Sequence, residues 1–364
     1  MSRKGRRRVG KLKAEERISI ELRDLYQQHG YLPYKVSRFE EYDLYMRNKS
    51  FLESEHVIAF SDMDGKLMAL KPDVTLSIVK NSQDGGTLKV SYAETVYRVP
   101  RGAYGFREIM QTGLEHIGDV DAYAMGEVLM LAARSLALIS DSWALDVADL
   151  GVVSGILAGE ALTDGQKAQL LALIGEKNLH GLKAQCEAMG VSAAAAEQLA
   201  KLVTVFGPLE KTLAQFEAMA LPEACAGALY DLRAVADMMK AYGLENINLD
   251  FSVVNDMNYY NGLIFAGFID GMAAGVLSGG RYDYLMRRMG RKSQAIGFAV
   301  YLDQLERQMD ERSAYDVDVL ITYGADTPAR DVIEAVKAAG ADGSSVRAQR
   351  AGETTVRCRR RIDL

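Results

Sequence analysis

Cysteine is scarce in this sequence, and its scarcity excludes two common ways of holding a fold or a metal. Among 364 residues there are only three, widely spaced and odd in number: Cys186, Cys225 and Cys358. They cannot form a disulfide framework or a C-x-x-C metal pair. The four histidines also lack the spacing of metal ligands: His29, His56, His116 and His180. We therefore expect no metal site and no bound cofactor.

Long apolar runs are missing as well. No uninterrupted apolar stretch approaches the roughly 18 to 20 residues that cross a bilayer. Seven of the first thirteen residues are Lys or Arg, but no apolar stretch follows them as in a secretory signal. The 49% hydrophobic and 25% charged composition is that of a soluble globular protein. We expect a cytoplasmic protein with no membrane partner.

Positive charge is not in excess, which argues against nucleic-acid binding. The chain has 43 Lys or Arg against 49 Asp or Glu, a net charge of −6. Basic residues nevertheless concentrate at the N-terminus and at Arg357–Arg361. We interpret each run as a solvated, disordered tail in preference to a phosphate-binding patch.

Periodicity divides the chain into five segments. A helical pattern at 14–30 is followed by strand-like stretches, and an Ala-, Leu-, Lys- and Glu-rich block of amphipathic helices separates these from later strands. The predicted fold class is α+β, with a mixed, mostly antiparallel sheet flanked by helices. The segments are a basic tail (1–13), a first half of the core (14–150), a helical insertion (151–245), a second half (246–312) and a short βα segment (313–364).

Individual strands and helices are predicted from alternation and from helical spacing. The final βα segment is expected to contain one strand and one helix and little more. The predicted strands are 56–61, 66–70, 87–92, 95–98, 248–254, 262–268, 274–278 and 316–322, with a strand running into a helix at 295–308. Further helices are predicted at 166–174, 194–205 and 329–339.

One predicted strand carries polar residues on a single face. Gln111 and Glu115 are four residues apart and therefore point the same way, which is costly if that face is buried without partners. By itself this pattern also fits a half-exposed strand with polar residues outward. Tyrosines beside glycines and the Asp73-x-Thr75 pair add further polar groups, although each alone fits a packed strand residue. Together they indicate a small concave site for an ammonium group and a polar ring.

Five segments, in this order, resemble the class II catalytic core of histidyl-tRNA synthetases over roughly residues 15–310. They are ELRDLYQQHGY, LKPDVTLSIVK, YRVPRGAYGFREIMQTGLEHIG, NYYNGLIF and GGRYDYLMRRMG…AIGFAVYLDQL. The resemblance implies a histidine pocket, in which Arg98 faces the ligand carboxylate or else forms a structural ion pair. The implied histidine-binding residues are Asp73, Thr75, Arg98, Gln111, Glu115, Tyr259, Tyr260 and Tyr282.

Departures from the synthetase pattern argue against catalysis. Asn255 and Gln304 stand where the synthetases have arginines, and Pro100 replaces an acidic residue of the second motif. Adenylation needs cations that stabilise charge developing on phosphates, which Asn and Gln do not supply. Only about 50 residues follow Ser313, where these synthetases carry an anticodon-binding domain. We therefore expect neither amino-acid activation nor tRNA recognition.

A chain that keeps the histidine pocket and lacks the arginines resembles the regulatory subunits of ATP phosphoribosyltransferase. This resemblance implies a short-form catalytic subunit as partner, L-histidine as an allosteric feedback ligand, and a homodimer within a hetero-oligomer. Two alternatives stay open: a divergent histidyl-tRNA synthetase, and a stand-alone paralogue that binds histidine or tRNA.

Overall fold

The computed structural model describes residues 14–52, 56–99, 105–254, 259–272, 274–303, 305 and 315–364. The chain divides into two compact units. The larger lies within Ile18–Gln304, and the smaller comprises Leu305–Leu364 together with residues up to Arg17. The basic tail at 1–13 and the boundary predicted at 312/313 lie outside the described residues.

A nine-stranded sheet forms the centre of the larger unit. The strands are β1 Leu32–Pro33, β5 Leu88–Arg98, β6 Arg107–Gly118, β7 Trp143–Asp149, β8 Gly207–Pro208, β9 Ile247–Leu249, β10 Leu263–Ile269, β11 Leu277–Arg281 and β12 Gln294–Tyr301. Their order in the sheet is β1-β5-β6-β12-β11-β10-β7-β9-β8, and only the β1–β5 and β7–β9 pairs are parallel. The predicted α+β class with a mixed, mostly antiparallel sheet is therefore confirmed.

A second, three-stranded antiparallel sheet precedes the long strands and leads into a short helix. It consists of β2 Phe39–Glu41, β3 Ala59–Ser61 and β4 Leu67–Leu70, in the order β2-β4-β3. Helices α2 Tyr42–Arg47 and α3 Thr75–Asn81 belong to the same part of the chain. Five consecutive residues of α3, Thr75–Val79, are buried, so this helix is part of the core.

Two helices pack against the large sheet. Helix α1, Ala14–Gln28, buries Ile18, Leu22 and Tyr26 at a four-residue spacing. Helix α4, Ala122–Ile139, is long and apolar enough to cross a membrane by length and composition, yet 72% of it is buried in the molecule. It contacts β7, β10 and β12, so it is a core helix of this sheet.

The segment predicted as a helical insertion consists mainly of helices. Helix α6 begins with a reciprocal capping box between Thr163 and Gln166, which satisfies two backbone donors of its first turn. The last helix, α10, packs on α4, α5, α9 and β7, which ties the segment to the large sheet. The helices are α5 Leu150–Ile156, α6 Asp164–Gly175, α7 Leu179–Ala188, α8 Ala193–Thr204, α9 Leu209–Glu217 and α10 Ala226–Ala241.

Several predicted boundaries in the second half were wrong. The strand predicted at 248–254 ends at Leu249 and is followed by a 3-10 turn, in which Asp250 caps the Ser252 N–H at 2.8 Å. The strand predicted at 274–278 is β11, Leu277–Arg281, which begins three residues later and continues through Gly279 and Gly280. Helix α11 then spans Asp283–Arg288.

The smaller unit is more complete than one strand and one helix. Strand β13, Val317–Tyr323, lies between β14, Val346–Arg350, and β15, Cys358–Asp363, in a parallel sheet; helix α12 is Ala329–Ala339. The last two strands were missed because they are rich in arginine and contain too few apolar residues to indicate a strand. The interpretation of the basic run as a disordered tail is therefore wrong at the C-terminal end, where it lies mostly on β15.

Candidate ligand-binding site

A row of small residues crosses the large sheet and leaves room above it. Gly113 of β6 lies opposite Ala299 of β12, which lies opposite Ser278 of β11, which lies opposite Ala266 of β10. Residues directly opposite each other on adjacent strands share one face. Because none of these four has a large side chain, a cavity of about 580 Å³ forms over this face.

All eight residues predicted for a histidine pocket line this one cavity. Five of them come from the first half of the large unit, on α3, β5, β6 and the turn before α3. The others follow the helical segment, and Tyr282 lies between β11 and α11. The structure thus brings together residues as far apart in sequence as Asp73 and Tyr282. That these residues bind histidine stays a prediction.

Glu115 is the most enclosed charged group of the cavity. Glu115 is only 2% exposed, and each of its carboxylate oxygens accepts one hydrogen bond. The Thr75 hydroxyl donates to Oε1 at 2.7 Å, and the Tyr282 hydroxyl donates to Oε2 at 2.7 Å. These two bonds fix the plane of the carboxylate and leave it facing the cavity.

Burial changes the protonation of this carboxyl group. Loss of hydration raises the pKa of Glu115 to about 8, against the two hydroxyl hydrogen bonds, which lower it. The negative charge of Asp73 adds to the increase. A carboxyl group with this pKa exchanges a proton near neutral pH, where an imidazole ring also titrates.

Asp73 is held by the start of the helix that follows it. Its Oδ1 accepts the backbone N–H of Leu76 at 2.7 Å, in the manner of a side chain at a helix N-terminus. Thr75, the first residue of α3, is 8% exposed and faces Glu115. The Asp73-x-Thr75 pair therefore places one carboxylate and one hydroxyl at the same end of the cavity.

Tyrosines form one wall of the site. The ring centroids of Tyr259 and Tyr260 lie 4.8 Å apart, and those of Tyr259 and Tyr282 lie 6.0 Å apart. Burial, followed by neighbouring negative charge, holds the pKa values of Tyr259 and Tyr282 well above the usual range. Both hydroxyl groups therefore stay protonated and able to donate at physiological pH.

Polar lining residues outside the predicted set include Tyr92, Ser278 and Tyr301. Tyr92 of β5 lies opposite Gly113, and a Cβ at 113 would be 2.6 Å from its hydroxyl. The period-two alternation that placed Gln111 and Glu115 on one face would also have placed Gly113 there. Alternation along one strand does not identify the neighbouring strand, so it could not reveal that Tyr92 lies beside Gly113.

Arg98 lies at the opposite end of the cavity from Glu115. It is 6% exposed, and its guanidinium carbon lies 5.7 Å from the centroid of the Tyr301 ring, a cation–π contact. Among the described residues that line the cavity, Arg98 is the one with a positive side chain, whereas Asp73, Glu115 and Asp303 carry carboxyl groups. The carboxyl groups of Asp73 and Glu115 at one end and the Arg98 guanidinium at the other suit a ligand with a cationic group and an anionic group.

The residues that argued against catalysis cannot be placed. Asn255, Gln304 and Pro100 lie outside the described residues, as does the start of the NYYNG segment at Asn258. The described cavity wall resumes at Tyr259. Within the described ranges no group of three or more His, Cys, Asp or Glu side chains could hold a metal ion.

The fold is that of a class II synthetase-like core. The structure of histidyl-tRNA synthetase from Nostoc sp. matches with a TM-score of 0.74 at 14% identity, over 98% of this chain and 88% of that one. The family model of histidyl-tRNA synthetase matches residues 10–305. The chain belongs to the histidyl-tRNA synthetase family.

Within that family the chain is similar to regulatory subunits of ATP phosphoribosyltransferase. The protein of that name from Alkaliphilus metalliredigens is 28% identical over 300 residues, 80% of this chain and 76% of its own length. The one from Clostridium kluyveri is 28% identical over 330 residues, 85% and 83% of the two chains. The Bacillus halodurans structure described as an ATP phosphoribosyltransferase regulatory subunit/histidyl-tRNA synthetase has a TM-score of 0.79, 23% identity and coverage of 96% and 93%. The resemblance predicted from the motifs is confirmed.

A further similarity is to a chain in the solved structure of a complex. The ATP phosphoribosyl transferase complex from Thermotoga maritima contains a chain that matches with a TM-score of 0.62 and 19% identity, covering 79% of this chain and 97% of that one.

Proposed function

We propose that this chain is a non-catalytic regulatory subunit of ATP phosphoribosyltransferase and binds L-histidine in the cavity around Glu115. The observation that carries the proposal is the buried Glu115 carboxyl group, held by Thr75 and Tyr282 at the inner end of a cavity whose outer end carries Arg98. The similarity to regulatory subunits gives the biochemical setting for such a site.

Histidine matches the polar groups of the cavity from end to end. Its imidazole ring would meet Glu115 and the tyrosine hydroxyls, which can bind both ring nitrogens at once. Its ammonium group would lie near Asp73 and Gln111, and its carboxylate near Arg98. A site with buried polar groups rejects analogues that leave those groups unpaired, so selectivity for histidine over apolar amino acids follows.

The proposed partner is the short-form catalytic subunit of ATP phosphoribosyltransferase, which joins ATP to phosphoribosyl pyrophosphate. Histidine inhibition then requires that histidine bind the inhibited assembly more tightly than the active one, since a ligand with equal affinity for both shifts nothing. A homodimer of this chain inside a cytoplasmic hetero-oligomer completes the proposal. The chain found in the Thermotoga maritima complex supports such an assembly.

The same proposal excludes amino-acid activation and tRNA recognition. Asn255 and Gln304 supply no cation for the phosphates of ATP, which is the reason to expect no adenylate. The competing function is that of a divergent histidyl-tRNA synthetase, and membership of that family favours it. Histidine-dependent ATP–pyrophosphate exchange distinguishes the two.

Reconstitution tests the proposal. The purified chain is mixed with the short-form catalytic subunit from the same organism, and phosphoribosyl-ATP formation is followed with and without L-histidine. We expect activity only with both subunits, inhibition by histidine, and no pyrophosphate exchange by the chain alone. Full activity of the catalytic subunit alone, or histidine-dependent exchange, would contradict the proposal.

A further inference from the structure

Tyr282 lies where the chain leaves the large sheet. It follows the last residue of β11 and precedes the first residue of α11, and its backbone angles of φ −132° and ψ 43° belong to neither a strand nor a helix. Its hydroxyl donates to Oε2 of Glu115 at 2.7 Å. The direction of this hydroxyl, and with it the position of the Glu115 carboxylate, therefore depends on what holds the backbone at residue 282.

The backbone of Tyr282 is hydrogen-bonded to one residue of β12. Arg281 lies opposite Ile296 in the register of β11 and β12, so the next pair along is Tyr282 and Ala295. The Tyr282 N–H donates to the Ala295 carbonyl at 2.9 Å. A hydrogen-bonded pair in an antiparallel sheet exchanges two bonds, and the second would run from the Ala295 N–H to the Tyr282 carbonyl.

The Asp283 carboxylate accepts the bond that this carbonyl would otherwise take. Its Oδ1 accepts the Ala295 N–H at 3.0 Å, and its Oδ2 accepts the Arg281 Nε–H at 2.7 Å. Ala295 is fully buried and Asp283 is 6% exposed. Because a buried N–H without a partner is destabilising, the carboxylate lets the chain turn from strand to helix at Tyr282 without leaving one.

We infer that Asp283 is a positioning residue of the histidine site, because its carboxylate holds the Tyr282 backbone and thereby the hydroxyl that fixes Glu115. The inference rests on the proposed histidine site and adds to it a residue outside the cavity. Asp283 is not among the residues that line the cavity, and both of its oxygens have protein partners. It acts through Tyr282 and does not contact the ligand itself.

A double-mutant cycle separates this role from a general structural one. Asp283→Ala removes the acceptor, Tyr282→Phe removes the hydroxyl, and a third variant carries both changes. Isothermal titration with L-histidine should show each single change weakening binding about tenfold, the effect of one hydrogen bond to a charged group. Once the hydroxyl is gone, Asp283→Ala should weaken binding by less than about a further threefold, because its effect passes through that hydroxyl.

Two variants serve as controls. Asp283→Asn keeps an oxygen for the Ala295 N–H and loses only the charge facing Arg281, so it should bind histidine within about threefold of the unchanged protein. Glu127→Gln removes the charge of another buried carboxylate, which pairs with Lys89 at 2.6 Å and does not line the cavity. It should leave histidine binding unchanged.

Thermal melting checks that each variant is folded at the titration temperature. If Asp283→Ala is not, Asp283→Glu replaces it in the cycle with the same expected result. The longer side chain keeps a charge for Arg281 but moves its oxygens away from the Ala295 N–H by one methylene group.

The outcomes separate this inference from the proposed function. Histidine binding by Asp283→Ala that equals binding by Glu127→Gln overturns the role of Asp283 alone. Losses that add in the double variant do the same, because they show that Asp283 does not act through the Tyr282 hydroxyl. A loss in Asp283→Asn as large as in Asp283→Ala contradicts the role of the Ala295 hydrogen bond. Absence of histidine binding to the unchanged protein overturns the proposed function, and this inference with it.

Discussion

The carboxylate of Glu115 occupies the space that a side chain at position 297 would need. Glu115 on β6 and Gly297 on β12 are directly opposite in the antiparallel register. A Cβ built at Gly297 would lie 1.8 Å from Oε2 of Glu115. Because a glycine stands here, the carboxylate folds over the neighbouring strand and reaches the hydroxyls of Thr75 and Tyr282.

This relationship predicts the effect of a single methyl group. Gly297→Ala should displace the Glu115 carboxylate and weaken histidine binding about 100-fold, since a hydrogen bond to a charged group contributes about 1.5–3 kcal/mol. Isothermal titration measures the loss. Gly227→Ala is the matched control, because nothing lies within 4 Å of a Cβ at this exposed position of α10. Equal binding by both variants would mean that the position of Glu115 does not determine affinity.

Removal of the carboxyl group should separate feedback from assembly. Glu115→Ala should abolish histidine inhibition while the complex with the catalytic subunit still forms and remains active, because Glu115 is enclosed in the cavity. Activity assays with increasing histidine, and size-exclusion chromatography of the mixture, are the measurements. Glu127→Gln provides a control, since Glu127 is also buried but pairs with Lys89 at 2.6 Å away from the cavity. Full histidine inhibition of Glu115→Ala would show that the pocket is assigned wrongly.

Histidine affinity should depend on pH with a maximum near neutrality. The free site keeps its proton up to the Glu115 pKa of about 8, whereas a free imidazole holds one only below about 6.5. If Glu115 and the imidazole ring share one proton in the complex, binding between about pH 6.5 and about pH 8 neither releases nor takes up a proton. Below about pH 6.5 both groups are protonated before binding, so one proton must leave. Above about pH 8 neither is protonated, so one proton must be taken up. Affinity should therefore fall toward tenfold per pH unit on either side.

Titration between pH 5.5 and 9 in buffers of different ionisation enthalpy checks this profile. Near pH 7 the apparent binding enthalpy should not depend on the buffer. An affinity that rises steadily across the whole range would contradict a shared proton between Glu115 and the ligand.

A buried ion pair beside the site should control stability. Lys71 is fully buried, its Nζ lies 2.5 Å from Oε2 of Glu94, and the other oxygen of Glu94 accepts the Val36 N–H at 3.1 Å. Lys71→Met leaves Glu94 without its cation and should lower the free energy of unfolding by about 3–5 kcal/mol. Lys66→Met breaks a pair with Glu41 that is about half exposed, and should cost less than about 1 kcal/mol.

Urea unfolding measures both changes. The double variant Lys71→Met/Glu94→Gln should recover much of the loss, because it leaves no uncompensated charge. A Lys71→Met variant no less stable than Lys66→Met would contradict the importance of burial at this pair.

The sequence predicted the fold class and the eight lining residues because several ordered motifs, and not one, carried the resemblance. Alternation placed Gln111 and Glu115 on one face of β6, which the register with β12 bears out. Helices α1 and α12 were predicted closely because their buried faces recur at helical spacing. That the eight residues bind histidine stays a prediction, which the experiments above test.

What the sequence did not predict depends on partners from distant strands. Tyr301 and Ser278 are 23 residues apart, and only the β11–β12 register brings their hydroxyls together. Likewise, the sequence around Gly297 of β12 does not indicate that the Glu115 carboxylate lies over this glycine. Strands β14 and β15 were missed because these Arg-rich edge strands contain too few apolar residues, and their pairing with β13 depends on the tertiary fold.

The central claim is that Glu115 and its neighbours form a histidine site in a chain without synthetase activity. Isothermal titration of the purified chain with L-histidine, alone and with the short-form catalytic subunit, tests it most directly. The account predicts saturable binding that Glu115→Ala abolishes, and an affinity that changes when the catalytic subunit is present. No binding in either state would contradict it.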